Sequence, residues 1–260
     1  MSPGKQAVAQ LDIFSSSGQT IIPATARIIR EVALTVGIDS QSIATIACMG
    51  DHLEELAAGY LRSEKLITAR ADIEKIDVDR KQYRANIILK TPKEYSRSVT
   101  GNIASSGARG RSIDPAMFRP LSVPENFIIS AQQALKLMDD LLEKSILHNE
   151  THGTHCSALA CGGEIIALRE DIGRHNTIDM LGGYALLKQI DLSATVILTT
   201  GRISSEIVYK VWNLGIPLII SHSAPTTKAV ELLRRANITL IGYVRGGKMN
   251  IYSHERRVKI

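Results

Sequence analysis

Residues 169–179 read Arg169-Glu170-Asp171-Ile172-Gly173-Arg174-His175-Asn176-Thr177-Ile178-Asp179, and the rest of the chain is organised around them. The stretch combines carboxylates, two guanidiniums, an imidazole and an amide. The apolar run before it, residues 164–168, is typical of a strand, and the apolar residues from 178 to 187 have helical spacing. We therefore predict a polar cluster at a strand-to-helix junction, the edge where open α/β sheets bind ligands.

Single residues of this stretch predict local structure. Gly173 is expected to permit a turn that a residue with a Cβ resists. Asp179, early in the helix, is expected to complement the positive helix N-terminus. His175 could orient a ligand or pair with Asp171 or Glu170. A salt-bridged helix cap is the alternative to a ligand site, but a cap needs only one Asp or Asn, so the density of polar groups favours a ligand.

The second half of the chain alternates strands and helices. Apolar strand-like runs at 194–199, 215–220 and 238–244 are separated by helical patterns that end near Leu214 and Ala236, and a last strand covers 249–252. This alternation predicts a mostly parallel sheet with helices on both faces, a three-layer α/β/α arrangement.

Each of these strands is followed by a polar or cationic tail. Because parallel strands end at the same sheet edge, the tails 170–176, 200–202, 221–226 and 245–248 are predicted to converge. Each tail alone could be an ordinary βα loop, but together they favour an anionic, phosphate-bearing ligand. The amides of Ser223-Ala224-Pro225-Thr226 at a helix start also suit an anion. The cations expected there are Arg174, Arg202, Arg245 and Lys248.

The first 95 residues suggest a small α+β unit. Residues 1–25 are expected to form an arm or an edge strand. Two hairpins are predicted, one from residues 31–36 with 42–48 and one from 73–79 with 84–90. Between them, Asp51 is expected to cap a helix that ends near Leu61.

A Gly/Ser-rich basic segment separates the two halves. Residues 96–124 are predicted to be a long loop, either a linker or a mobile loop that reaches the site. We place the domain boundary there, with an N-terminal α+β domain at 1–124 and an α/β/α domain at 125–260. Ser130 is expected to cap a helix from Ala131 to about Leu147, and residues 151–161 lead to the strand before the polar cluster.

Composition excludes several classes of protein. The chain has 260 residues and a net charge of +5, which mildly favours an anionic partner. Aromatic residues make up 4% of the chain, and the sequence lacks the basic patches interleaved with aromatic residues that are typical of nucleic-acid binding. No run approaches the length of a membrane span, and the odd number of cysteines favours a reducing compartment, so we expect a cytoplasmic protein.

The cysteines and histidines do not predict a metal site. His152, His155, Cys156 and Cys161 contain no CxxC pair, and the segments that a zinc deaminase needs are absent. Cys156 and Cys161 are interpreted as small buried residues rather than as reactive thiols.

Taken in order, these motifs resemble the FdhD/NarQ family of formate dehydrogenase accessory sulfurtransferases, over nearly the whole chain. The second half carries the resemblance most clearly, and the first half more loosely through Glu31, Gly59 and Glu64. The matching segments are 151–155, Glu-Asp-Ile-Gly-Arg-His-Asn at 170–176, Thr200-Gly201-Arg202 with Glu206 and Lys210, 223–226, and 243–247 with Tyr252.

The resemblance implies a cytidine-deaminase-like fold without zinc in the second domain, and a homodimer. It implies that the protein binds bis-molybdopterin guanine dinucleotide, for which GDP is a partial mimic, and passes sulfur to it from a cysteine desulfurase for formate dehydrogenase. The cofactor-binding residues carried over or predicted above are Asp171, Gly173, Arg174, His175, Asn176, Arg202, Ser223, Ala224, Pro225, Thr226, Tyr243, Val244, Arg245, Gly246, Gly247 and Lys248.

The chain departs from the family at the loop that carries the persulfide. The family's Cys-Gly-x-Cys-Gly motif corresponds to Ser106-Gly107-Ala108-Arg109-Gly110, so Ser106 and Arg109 stand at the two cysteine positions. A hydroxyl cannot carry a persulfide, since sulfur transfer needs a thiolate. Three hypotheses stay open: sulfur relay through another thiol such as Cys156, a non-catalytic cofactor chaperone, and a general guanine-nucleotide-binding module.

Overall fold

The computed structural model describes residues 7–91, 101–103 and 113–260. The strands in these ranges are β1 Val8–Ser17, β2 Thr20–Ile29, β3 Val32–Ile38, β4 Gln41–Cys48, β5 Ile73–Asp79, β6 Arg84–Leu89, β7 Gly101–Ile103, β8 Ile129–Ser130, β9 His155–Cys161, β10 Glu164–Asp171, β11 Val196–Thr199, β12 Leu218–Ser221, β13 Thr239–Arg245, β14 Lys248–Ser253 and β15 Val258–Lys259. The helices are α1 Leu53–Ser63, α2 Ala131–Lys144, α3 Ile146–Thr151, α4 Arg174–Lys188, α5 Ser205–Leu214 and α6 Thr227–Ala236.

The second half contains a six-stranded sheet in the order β10-β9-β11-β12-β13-β14. Within this sheet, β11, β12 and β13 are adjacent parallel strands, whereas β9 and β14 are antiparallel to the strands beside them. The expectation that residues 151–161 only lead to a strand is wrong, because 155–161 is itself a central strand. This strand is buried on both faces apart from its ends, so its sequence lacks the alternation that reveals half-exposed strands.

Helices cover both faces of this sheet. On one face, Leu137 and Met138 of α2 pack with Leu198 of β11 and Ile220 of β12. On the other, α4, α5 and α6 share a core with the opposite side chains of the same strands, among them Ile197 and Ile219. The mixed α/β class with three layers in the second half is confirmed, and the cytidine-deaminase-like comparison stays a prediction.

The first half forms a five-stranded sheet in the order β5-β6-β3-β4-β7. Both predicted hairpins are present as antiparallel pairs, and β7, which was not predicted, adds parallel to β4. The predicted Asp51 cap is wrong: α1 begins after His52, whose backbone is left-handed with φ 50° and whose side chain makes no cap bond. The Ser130 cap is confirmed, with its hydroxyl accepting from the Gln133 amide, but α2 ends at Lys144.

Helices α1 and α4 cross with their backbones in contact and join the two halves. A Cβ at Gly59 would lie 1.7 Å from the Asp179 carbonyl oxygen, and one at Gly183 would lie 1.9 Å from that of Glu55. Met180 and Leu186 of α4 belong to the core of the first sheet. The division at residue 124 stays a prediction, while this crossing fixes the first sheet beside the N-terminus of α4.

Strands β1 and β2 form a separate two-stranded ribbon. The expected arm or edge strand at 1–25 is therefore too short, since the hairpin extends from Val8 to Ile29 around a turn at Gly18. Its strands are mostly exposed, which is why alternation did not reveal both of them.

Candidate functional site

The predicted convergence of the strand tails is confirmed at one edge of the six-stranded sheet. Thr199 of β11 pairs with Ser157 of β9 on one side and with Ser221 of β12 on the other. The loops beyond them are bonded together, because the Ser223 hydroxyl donates to the Thr200 carbonyl at 2.8 Å and the Tyr243 amide donates to the Ser223 carbonyl at 3.1 Å. Polar loops from three strands therefore form one continuous surface.

Asp171, at the end of β10, is buried and holds the first half of the protein in place. Its carboxylate accepts from the amides of Met49 at 2.8 Å and Gly173 at 2.9 Å, and from the Asn176 side chain at 2.7 Å. Asn176 also donates to the Ala47 carbonyl at 2.8 Å. Burial raises the pKa of Asp171 to about 6, although the hydrogen bonds oppose this. The Asn176 side chain is thus hydrogen-bonded to β4, and the Asp171 side chain is hydrogen-bonded to the residue that directly follows β4. A cofactor-binding role for Asp171 and Asn176 stays a prediction.

Three other expectations about this stretch change. Gly173 has φ −106°, an ordinary extended conformation, so the predicted glycine-specific turn is wrong. Asp179 lies in the second turn of α4, where it accepts two 2.7 Å bonds from the Lys210 ammonium and a 2.5 Å bond from the Ser63 hydroxyl, so its predicted interaction with the helix N-terminus is wrong. His175 is buried with Nε2 3.4 Å from a Glu206 carboxylate oxygen.

The strongest sign of a ligand is an unfavourably placed guanidinium, that of Arg174. It is the first residue of α4, where the helix dipole disfavours a cation. Burial and the neighbouring Arg202 lower the pKa of Arg174, and Glu206 only partly opposes them. Its buried Nε donates to no acceptor among the described residues. Gly201 allows the close approach, since a Cβ there would lie 2.9 Å from the Arg174 Cβ.

The turn after β13 presents a third arginine. The Arg245 guanidinium stacks 3.6 Å from the centre of the Tyr243 ring, and Tyr243 is held in the left-handed region at φ 57°. Gly246 and Gly247 follow with φ 57° and 69°, so this turn requires glycine. A strained, exposed aromatic residue under a guanidinium is typical of a ligand-binding turn. Val244 points into the core, so its side chain cannot contact a ligand at the surface.

A cavity of about 290 Å³ between these loops is lined by four histidines, none of which was among the predicted binding residues. Burial and then Arg174 lower the pKa of His155, and burial and then Arg245 lower the pKa of His222. His222 directly follows β12, so its place in a strand tail was a usable signal. His155 could be placed at this edge only by recognising residues 155–161 as a strand antiparallel to β11. The lining residues are His148, His152, Gly153, Thr154, His155, Ile172, Thr200 and His222.

The segment 223–226 contributes less than predicted as an amide donor. The Ser223 amide donates to the Ser221 hydroxyl and the Thr226 amide to the Ile203 carbonyl, both at 3.0 Å. Pro225 and Thr226 line a separate open cleft of about 600 Å³ beside Tyr252. Of the predicted binding residues, Pro225 and Thr226 line this cleft, and none is among the residues that line the histidine cavity.

None of the three cysteines suits sulfur transfer at this edge. Cys48 and Cys156 are buried, and burial raises the pKa of both thiols to about 12. Cys161 is exposed, so its interpretation as a buried residue is wrong, and it lies at the end of β9 away from the loops. Ser106 and Arg109 lie outside the described residues.

Residues 7–91, 101–103 and 113–260 contain no group of three or more His, Cys, Asp or Glu side chains placed to hold a metal ion. Among the same residues, every helix is too short or too polar to cross a membrane.

A model of the FdhD/NarQ family matches residues 29–259. The sulfur carrier protein FdhD of Staphylococcus haemolyticus is 35% identical over 244 residues, covering 92% of each chain. Those of Bacillus pumilus and Bacillus licheniformis are 34% identical over 239 residues and 32% over 261 residues. These alignments cover 90% and 98% of this chain, and 91% and 99% of the two relatives.

A solved structure has a similar fold. The crystal structure of a putative formate dehydrogenase accessory protein from Desulfotalea psychrophila aligns with a TM-score of 0.79, covering 97% of this chain and 99% of that one. At 22% sequence identity, this likeness concerns the fold.

Proposed function

Since this chain belongs to the FdhD/NarQ family, we propose that it serves formate dehydrogenase maturation by binding a guanylated molybdopterin cofactor at the edge formed by Arg174, Arg202 and Arg245. The observation that carries the proposal is the Arg174–Arg202 pair, in which the buried Arg174 Nε donates to no acceptor within the described part of the chain. Two adjacent guanidiniums repel each other, and a bound phosphate removes that repulsion and supplies acceptors for both.

The residues present fit such a cofactor. Pyrophosphate oxygens would be held by the arginines and by the imidazoles of His155 and His222, while the strained ring of Tyr243 offers a stacking surface for a base. The cofactor, when bound, supplies the redox chemistry of the enzyme that receives it. This chain's own residues bind its anionic groups and fix their orientation.

We further propose that this protein carries the cofactor without relaying sulfur. Ser106 stands where the family resemblance places the persulfide cysteine. The thiols of Cys48 and Cys156 stay protonated at neutral pH because of their burial, and a protonated thiol is a poor nucleophile. A relay through the exposed Cys161 is the second candidate.

Copurification tests the binding half of the proposal. The protein is purified from cells that make the guanylated cofactor, and the pterin released by acid is measured by its fluorescence. We expect pterin with the wild type and with the control Arg80→Gln, whose guanidinium pairs with Glu54 on the surface. The double variant Arg174→Gln/Arg202→Gln is expected to lose it, and equal pterin in all three proteins would refute the proposed site.

Sulfur loading tests the proposal that this protein does not relay sulfur. After incubation with a cysteine desulfurase and cysteine, the intact mass of the wild type is expected to show no added sulfur. The variant Ser106→Cys, with a thiol restored, is expected to gain it, as is the Bacillus subtilis sulfur carrier protein FdhD used as a positive control. A sulfur adduct on wild-type Cys161 or Cys156 would show that the relay survives through a relocated thiol.

A further inference from the structure

The histidine cavity contains a buried hydroxyl that the protein itself does not use. Thr154 lines the cavity and is 4% exposed, and its hydroxyl has no hydrogen-bond partner among the described residues. A buried hydroxyl costs free energy unless water or a ligand meets it. The cavity volume of about 290 Å³ is enough for one small polyatomic anion, since a water molecule occupies about 30 Å³ of liquid.

The segment that carries Thr154 is fixed against α3. His148 Nδ1 lies 2.5 Å from the Thr154 carbonyl oxygen, and because a carbonyl only accepts, the imidazole donates this bond. The Glu170 carboxylate in turn accepts from the His148 amide at 2.7 Å. These bonds hold the backbone of Thr154, and with it the unpartnered hydroxyl, in place before any ligand arrives.

The electrostatics of the cavity favour an anion. Its lining, which lies entirely within the described part of the chain, includes four imidazoles and no carboxylate. Arginines act on two of these imidazoles from outside the cavity. After burial, which has the larger effect, Arg174 and then His148 lower the pKa of His155, and Arg245 and then His148 lower the pKa of His222.

The carboxylates of the neighbouring strand β10 are engaged elsewhere. Asp171 stands opposite His155 in the β9–β10 pair, and its carboxylate accepts from two backbone amides, as does that of Glu170. Because these bonds occupy both carboxylates, a counter-charge for His155 and His222 has to come from a ligand.

Building on the cofactor-binding function proposed above, we propose that the histidine cavity is a subsite for one tetrahedral phosphate group, bound by the Thr154 hydroxyl and by the protonated imidazoles of His155 and His222. A phosphate dianion offsets the charge of the nearby arginines and accepts hydrogen bonds from imidazolium, so it raises the pKa of both histidines again. The protons come from solvent, and no covalent bond forms or breaks.

Binding at this subsite is therefore coupled to proton uptake. In the free protein at pH 7.5 the two imidazoles are neutral, because their pKa values lie below the ordinary value of about 6.5. A net uptake of about one proton makes binding roughly tenfold tighter for each unit by which the pH falls. The protein thus holds its anionic ligand more firmly in mildly acidic than in alkaline solution.

Calorimetric titration with GDP at pH 7.5, in two buffers of different ionisation enthalpy, counts the protons. The wild type is expected to take up about one proton more per GDP than His155→Gln/His222→Gln. His254→Gln is the matched control and should behave as the wild type. Burial also lowers the pKa of His254, but its carbonyl accepts from Thr239 at the start of β13, at the other end of that strand from Arg245.

The variant Thr154→Val distinguishes a binding role of the hydroxyl from a structural one. Valine has a similar shape and lacks the hydroxyl, so the dissociation constant for GDP should rise roughly 2- to 10-fold, the worth of one neutral hydrogen bond. The thermal midpoint should stay the same or rise, because a buried hydroxyl without a partner is removed. A lower midpoint with unchanged GDP affinity would overturn the assignment of Thr154.

Guanosine and inorganic phosphate identify the group that enters the cavity. Guanosine lacks a phosphate and should cause no proton uptake. Uptake with GDP alone would support a subsite for a nucleotide-borne phosphate, and uptake with inorganic phosphate as well would support one for any phosphate. GDP binding with equal proton uptake by the wild type and the double variant would overturn this proposal and leave the proposed function standing. No GDP binding by the wild type would also overturn it, and the pterin measurement would then decide the proposed function separately.

Discussion

Replacing Arg174 by glutamine should separate ligand binding from stability. Arg174 is the first residue of α4, partly buried, and next to Arg202. In the free protein each of these conditions disfavours the cation, and removing a cation from a helix N-terminus alone is worth about 0.3–1 kcal/mol. The unfolding free energy of Arg174→Gln should therefore stay the same or rise by up to about 1 kcal/mol.

The same substitution should weaken GDP binding. A hydrogen bond between a guanidinium and a phosphate contributes about 1.5–3 kcal/mol. Its loss corresponds to a roughly 10- to 150-fold increase in the dissociation constant. Because the glutamine amide still donates one neutral bond, we expect the lower part of this range.

Two measurements decide the matter: isothermal titration with GDP, and urea unfolding of the free protein. Arg80→Gln is the control, since it removes an exposed guanidinium far along the sequence from the loops and should change neither quantity beyond about 0.5 kcal/mol. The reasoning is refuted if Arg174→Gln loses more than about 1 kcal/mol of stability while GDP affinity is unchanged. Arg174 would then be a structural partner of Glu206.

Three further substitutions test how the halves are joined. Burial raises the pKa of Asp171 from 3.8 to about 6, so the protonated carboxyl stabilises the fold fully below about pH 4, and this contribution is lost as the pH rises through 6. When the pH is lowered from 7 to 5, the free energy of urea unfolding of the wild type should therefore rise by about 1 kcal/mol relative to that of Asp171→Asn. Parallel pH curves for the two proteins would contradict this. Lys210→Met should cost about 3–5 kcal/mol in the same assay by leaving the buried Asp179 carboxylate without a counter-ion and with the Ser63 hydroxyl as a donor, whereas a cost below 1 kcal/mol would show that water reaches the carboxylate. Gly59→Ala should reduce soluble expression or lower the thermal midpoint sharply, because its Cβ has no space against the α4 backbone, and a normal midpoint would mean that the helices can move apart.

The sequence predicted those features of the fold that depend on local periodicity. The strands around residues 196–199 and 218–221 follow from short β-branched runs between helical patterns, and the Ser130 cap follows from its own side chain. Strand β9 was missed because residues buried on both faces show no alternation. The ribbon was predicted only as an arm or edge strand at 1–25, because most of its apolar residues are exposed and so did not suggest a core.

The site was predicted in part, for a similar reason. Convergence of the strand tails needs only the rule that parallel strands end at one edge, and Thr200, Ser223 and Tyr243 confirm it. Which polar residues face a ligand depends on tertiary partners. Asp171 bonds to the Met49 amide 122 positions away, and no local pattern distinguishes such a residue from Arg174, whose Nε stays without an acceptor among the described residues.

A crystal structure of the protein grown with GDP tests the central claim most directly. We expect the phosphates to contact Arg174 and Arg202, with the imidazole of His155 or His222 nearby. GDP bound instead in the cleft beside Pro225 and Tyr252, with the two guanidiniums still unliganded, would contradict the assignment of this edge as the cofactor site.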